Sequence, residues 1–204
     1  MLFENKTILV TGGTGSWGYE LVKQLLEKKP KEIRVFSRNE NNQVAMQRSF
    51  ESDPRLTFII GDIKEEDSVM KASEKVDIVF HLAALKHVSV CEEQPNEALK
   101  TNVLGTQHVI NGAIRNNVDK VIYISTDKAA NPANFYGFTK SIGERLVIHA
   151  NRLHPKTKFV CIRAGNVLGS NGSVIHVFKK QIIEGRMITI THKEMTRFFL
   201  TLED

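Results

Sequence analysis

Short apolar runs alternate along this chain with longer stretches whose apolar residues recur at three- and four-residue spacing. Thr7–Val10, Ile33–Phe36, Phe58–Ile60, Ile78–Phe80, Val121–Ile124 and Phe159–Ile162 are short and apolar, and read as buried strands. Leu21, Val22, Leu25 and Leu26 mark a helix after the first strand. A long helix is predicted from Pro95 to Arg115, with Ala98, Val103, Val109, Ile110 and Ala113 as its apolar set. Another opens near Tyr136, carries Ile142, Leu146, Val147 and Ile148, and ends at about Leu153 before Pro155. Strands alternating with helices, without an internal repeat, predict an α/β fold: a doubly wound parallel sheet. Beyond Gly169 the pattern loosens into a polar loop over 170–173, a short helix through Phe178 and Ile183, and a possible strand over Met187–Ile190. The expected division is therefore residues 1–169 as one domain and 170–204 as the start of a second region.

The chemistry gathers where the predicted strands end. The first strand runs into Thr11-Gly12-Gly13-Thr14-Gly15-Ser16-Trp17-Gly18 and then a helix. Glycines at 12, 15 and 18 suit a tight turn, close approach of backbone to a pyrophosphate, and helix packing on the strand. The helix N-terminus adds N–H groups and a positive dipole for the phosphates. Trp17 is expected to pack against the ligand or neighbouring loops. The second strand ends in Ser37-Arg38-Asn39, with no carboxylate for a ribose 2′-hydroxyl, so NADP is expected over NAD. Asp62, followed by Ile63, either meets the adenine or caps the next helix. After the fourth strand, Leu82-Ala83-Ala84 admits a flat ligand and Lys86 is placed for a phosphate or sugar oxygen. His81 and His87 are expected to be structural or solvent-facing, and no metal site is expected. Asn102, polar within an apolar helical pattern, is expected to brace the sheet or the site, and is counted with the cofactor residues.

The fifth strand leads into Ser125-Thr126-Asp127-Lys128, then Asn131-Pro132, then Tyr136 and Lys140 one helical turn apart. An ammonium beside a phenol favours the phenolate, so Lys140 is expected to lower the pKa of Tyr136. A plain surface pair is the alternative for these two residues taken alone.

Composition narrows the classes. With 41% hydrophobic and 25% charged residues the chain can build a core and a solvated surface. A net charge of +5, spread without basic blocks, argues against nucleic acid and fits a phosphorylated ligand. Cys91 and Cys161 are expected as free thiols in a reducing compartment. No apolar run approaches membrane-spanning length, so no membrane partner and a cytoplasmic location are expected.

These motifs, with Arg163–Val167 and Met195-Thr196-Arg197-Phe198, resemble the extended short-chain dehydrogenase/reductases, and within them the UDP-N-acetylglucosamine 4,6-dehydratases that invert C5. Thr126-Asp127-Lys128 carries the finer resemblance; C5-retaining relatives have Glu in the third position. The resemblance implies an NADP-dependent lyase in surface-polysaccharide or pseudaminic acid synthesis. The sugar is oxidised transiently at C4 with Tyr136 and Lys140 assisting. Lys128 takes the C5 proton, Asp127 protonates the departing C6 hydroxyl, and hydride returns to C6. It implies that Gly12, Thr14, Gly15, Ser16, Trp17, Gly18, Ser37, Arg38, Asp62, Ile63, Leu82, Ala83, Lys86, Asn102, Tyr136, Lys140 and Val167 hold the cofactor. Lys86, Thr126, Asn166, Asn171 and Ser173 would hold the sugar nucleotide. Ala164 and Asn171 stand where relatives often carry Tyr and Arg. Relatives assemble as dimers or hexamers, and their C-terminal part, which closes over the uridine diphosphate, is only begun in residues 170–204.

Overall fold

The computed structural model describes residues 2–202 apart from Asn171 and Thr191. The six expected strands are present: β1 (Thr7–Thr11), β2 (Glu32–Ser37), β3 (Leu56–Ile60), β4 (Ile78–His81), β5 (Lys120–Thr126) and β6 (Lys158–Ala164). They form one parallel sheet in the order β3-β2-β1-β4-β5-β6. The strand order reverses between β1 and β4, and open sheets of this kind bind ligands beyond the carboxyl edge at such a point.

Because side chains alternate along a strand, each strand feeds two cores. Ile8, Val10, Ile33, Val35 and Ile78 face α1 (Ser16–Leu26) and α2 (Glu40–Ser49), meeting Val22, Leu25 and Met46. Leu9, Val79, Val121 and Tyr123 face the other way, against α3 (Glu66–Ala72), α6 (Gly105–Arg115) and α7 (Phe135–Leu153). Covering both faces explains why the strands read as continuous apolar runs.

Two short helices, α4 (Val88–Glu93) and α5 (Pro95–Leu99), follow β4. The helix expected over Pro95–Arg115 is continuous but contains a π-turn at Lys100–Leu104, which joins α5 to α6. The expected strand at Met187–Ile190 is not one. Those residues follow α8 (Val174–Ile183) without pairing, and Met187 is 90% exposed. The late strand is instead β8 (Phe199–Leu200), parallel to β7 (Asn166–Val167), which hydrogen-bonds the segments on either side of residue 169.

Candidate active site

The carboxyl ends of β1, β2, β4, β5 and β6 open into one cavity of about 880 Å³. At its floor, Gly12 takes φ +71° and lies so close to the segment after β4 that an added Cβ would stand 2.8 Å from the Ala83 nitrogen. Gly18 brings α1 close to the turn itself, since a Cβ there would be 2.6 Å from Gly13 Cα. Gly15 caps α1 without any side-chain hydrogen bond. Backbone therefore forms the wall, with Thr14, Ser16 and Trp17 around it. At the adjoining rim stand Ser37, Arg38, Asp62 and Ile63. Arg38 lies 4.0 Å from Asp62, whose other oxygen accepts from the Lys64 N–H. Leu82, Ala83 and Lys86 line the opposite side.

A polar chain behind this wall fixes its shape. The Ala83 N–H donates to Thr11 Oγ1, 3.4 Å away, and Thr11 donates in turn to His81 Nδ1 at 2.7 Å. The Thr106 hydroxyl donates to the Asn102 carbonyl at 2.7 Å, so its 3.1 Å contact with His81 Nε2 must be a donation from the imidazole. His81 is thus a neutral Nε2–H tautomer, and burial, seconded by Lys140, pushes its pKa down to about 3. Asn102 Nδ2 donates to the Leu85 carbonyl and to Thr139 Oγ1, while its Oδ1 accepts from the Leu85 N–H. Thr139 donates to the Tyr136 carbonyl at 2.8 Å. Asn102, expected among the cofactor contacts, is corrected here: it is 1% exposed, its amide is fully engaged, and it braces the wall from behind.

The two residues of α7 depart from expectation. Lys140 does not lower the pKa of Tyr136. Its Nζ donates to the Ile124 carbonyl at 2.6 Å and lies 4.1 Å above the Tyr123 ring. Burial pushes Lys140 down to about 7, against the opposing charge of Glu144. Burial likewise pushes Tyr136 up to about 12, partly offset by the Thr126 hydroxyl. Desolvation outweighs the neighbour, and both groups favour their uncharged forms. Glu144, one turn beyond Lys140, is clamped by Arg163 through bonds of 2.9 and 2.7 Å.

Asp127 and Lys128 form an ion pair at 2.9 Å, and the Thr126 hydroxyl donates to the same Asp127 oxygen. Burial would raise the Asp127 carboxyl, but Lys128 and Thr126 outweigh it and hold it below the ordinary range. Lys128 also reaches Asn166 Oδ1 at 3.3 Å. Lys128 lines the main cavity with Thr126, Asn166, Val167 and Ser173, whereas Asp127 faces a second cavity of about 300 Å³ with Asn134 and Thr196. Lys128 and Arg197 border both. Asn171 lies outside the described residues. Gly172 lies against the His87 ring, and both residues line the cavity.

Sequence reasoning assigned no role to Asn42, Thr101, Met195 or Arg197, which also line the cavity. Met195 and Arg197 stood within a noted motif, and only the pairing of β8 with β7 brings them to the site. The hydroxyls of Thr101 and Ser125 are buried at the cavity without a hydrogen-bond partner. Together with the side-chain-free turn, they fit a polar dinucleotide.

The comparisons agree with this geometry. The model of the family described as "Polysaccharide biosynthesis protein" matches residues 8–204. The chain belongs to that family. Its sheet is the short-chain dehydrogenase/reductase form of the doubly wound fold. Among relatives in this family, the inverting UDP-N-acetylglucosamine 4,6-dehydratase of Campylobacter jejuni is 45% identical over 207 residues, covering 100% of this chain and 62% of its own. A UDP-glucose 4-epimerase of Rickettsia canadensis is 46% identical, covering 100% and 61%. The solved structure of Pen from Bacillus thuringiensis is 46% identical with a TM-score of 0.96, covering 99% of this chain and 65% of that one. The chain thus spans about three fifths of the length of the curated relatives it matches. Among the described residues, no helix is long and apolar enough to cross a membrane.

Proposed function

We propose that this chain is the cofactor-binding and catalytic part of a cytoplasmic UDP-N-acetylglucosamine 4,6-dehydratase that inverts C5 and uses NADP. The observation that carries the reading is the Asp127–Lys128 ion pair at the border of the two cavities, in which Lys128 Nζ donates to Asp127 Oδ1 across 2.9 Å. Removing a C5 proton needs a neutral amine, and expelling a C6 hydroxyl needs a proton donor. Moving the bridging proton from Lys128 Nζ to Asp127 creates both at once without changing the net charge. The Thr126 hydroxyl and Asn166 hold the pair in register for that transfer.

A nicotinamide dinucleotide, when bound, supplies a reversible hydride acceptor, so the cycle closes without net redox change. The backbone turn of Gly12, Gly15 and Gly18 would hold its pyrophosphate, and Ser37 with Arg38 its 2′-phosphate. Tyr136 is a protonated phenol in its buried surroundings, and any positive charge brought against it favours the phenolate that receives the C4 hydroxyl proton. Lys128 then takes the C5 proton, acidified by the adjacent ketone. Asp127 protonates the leaving C6 hydroxyl, which departs as water, and C5 is reprotonated from the opposite face.

A second reading, a UDP-sugar 4-epimerase, is favoured by the relatives of that name at similar identity. It uses Tyr136 and Lys140 but gives Asp127 and Lys128 no proton to move. Incubation with UDP-N-acetylglucosamine separates the two by mass spectrometry. The dehydratase loses one water, and in heavy water its product carries deuterium at C5. The epimerase leaves the mass unchanged. Lys128→Ala should keep cofactor binding and lower dehydration by ~10²–10⁴; wild-type deuterium exchange at C5 in that variant refutes the base assignment.

A further inference from the structure

Gln43 lies in α2, beneath the rim where β2 ends, and is 4% exposed. Its Nε2 donates to the Ile59 carbonyl at 2.8 Å and to the Ser37 carbonyl at 3.1 Å, tying together the ends of β3 and β2. These two carbonyls fix the orientation of the amide, because Oε1 in the same place would face oxygen on both sides. The same Nε2 stands 3.0 Å from Ser37 Oγ. With two hydrogens for three oxygens, Nε2 shares one of them between the Ser37 carbonyl and Oγ. An amide nitrogen does not accept, so Oγ meets it with a lone pair and must aim its own hydrogen elsewhere. Ser37 lines the cavity beside Arg38, Asn39 and Asn42. A hydroxyl fixed as a donor beside a guanidinium suits a phosphate monoester, which presents only acceptors at its ionised oxygens. It suits a ribose hydroxyl less, since that group brings a hydrogen needing an acceptor of its own.

We propose that Gln43 is a positioning residue for cofactor choice: by engaging the Ser37 lone pair it turns that hydroxyl into a donor for the phosphate that distinguishes NADP from NAD. This rests on the NADP reading above. Gln43 touches no cofactor itself; it acts through Ser37.

Calorimetric titration of NADP⁺ and NAD⁺ into the chain, Ser37→Ala, Gln43→Met and the double variant tests this. Each single variant should weaken NADP⁺ about tenfold, one hydrogen bond to a charged group, and leave NAD⁺ within about twofold. In the Ser37→Ala background, Gln43→Met should add less than about twofold, because both act through one contact. Parallel losses for both cofactors, or additive losses for NADP⁺, overturn the role of Gln43 while leaving the NADP reading intact. If Gln43→Met does not fold, Ser37→Ala decides alone, and unchanged NADP⁺ affinity overturns the proposal. Equal binding of both cofactors by the unsubstituted chain instead removes the NADP reading and this inference with it.

Discussion

Replacing Lys140 with Met should change how the stability of this protein depends on pH. Burial lowers Lys140 from 10.5 to about 7 in the folded chain, while the unfolded chain keeps the ordinary value. Between those values the unfolded state binds more protons, so the native chain gains stability as pH rises. The gain is at most about 1.4 kcal/mol per pH unit, or about 4 kcal/mol from about pH 7 to 10. Below about pH 7 the amine is charged in both states and its full cost to the fold is present. Lys140→Met removes this titration. It also leaves the Ile124 carbonyl without its 2.6 Å donor, a loss that does not vary with pH. Urea unfolding of both proteins at several pH values and constant ionic strength isolates the effect. His81, Glu144 and Cys161, which feel the Lys140 charge, titrate in the folded chain outside the window from about pH 7 to 10. A difference that stays flat or falls from about pH 7 to 10 refutes the reasoning.

Three further perturbations follow from the packing. Gly143→Ala places a Cβ against Tyr123 Oη and 2.8 Å from its Cζ, on a ring with no room to move, and should cost ~1–3 kcal/mol in urea unfolding. Gly18→Ala should drive α1 away from the turn and weaken dinucleotide binding by roughly tenfold or more in calorimetry. Arg163 holds the Glu144 carboxyl below its ordinary range, which stabilises the fold above that range and is lost as pH falls through the folded value. Arg163→Ala should therefore flatten the acid side of the stability profile, read as urea midpoints from about pH 5 downward, since the loss begins near the ordinary carboxylate value and continues below it.

The doubly wound sheet was legible because each strand is buried on both faces and each apolar run is continuous. The glycine turn was legible because its spacing states a steric need that the structure meets at Gly12 and Gly18. Other features depend on distant partners. The spacing of Tyr136 and Lys140 could be read locally, but their protonation is set by how deeply α7 lies on β5. Met187–Ile190 is apolar enough for a strand yet has no neighbour to pair with, while Phe199–Leu200 finds Asn166–Val167. Helix α2 buries only Gln43 and Met46, so its apolar pattern is faint, and the significance of Gln43 emerges only from the carbonyls above it.

The hydrogen bonds behind the wall run in one direction within each of two rows. One goes from Ala83 through Thr11, then from His81 through Thr106 to the Asn102 carbonyl. The other goes from the Leu85 N–H through the Asn102 amide and Thr139 to the Tyr136 carbonyl. Each hydroxyl, ring or amide receives on one side and gives on the other, so its polarity is set like that of a row of turnstiles. A substitution that keeps size but reverses or deletes one element, such as Thr106→Val or Asn102→Asp, would leave a lone pair facing a lone pair or a hydrogen without an acceptor. The fault would then pass from Thr106 through His81 toward the loop after β4, and from Asn102 through Thr139 to the first turn of α7. Variation at these positions should accordingly be correlated rather than independent, although none of their side chains needs to touch a ligand.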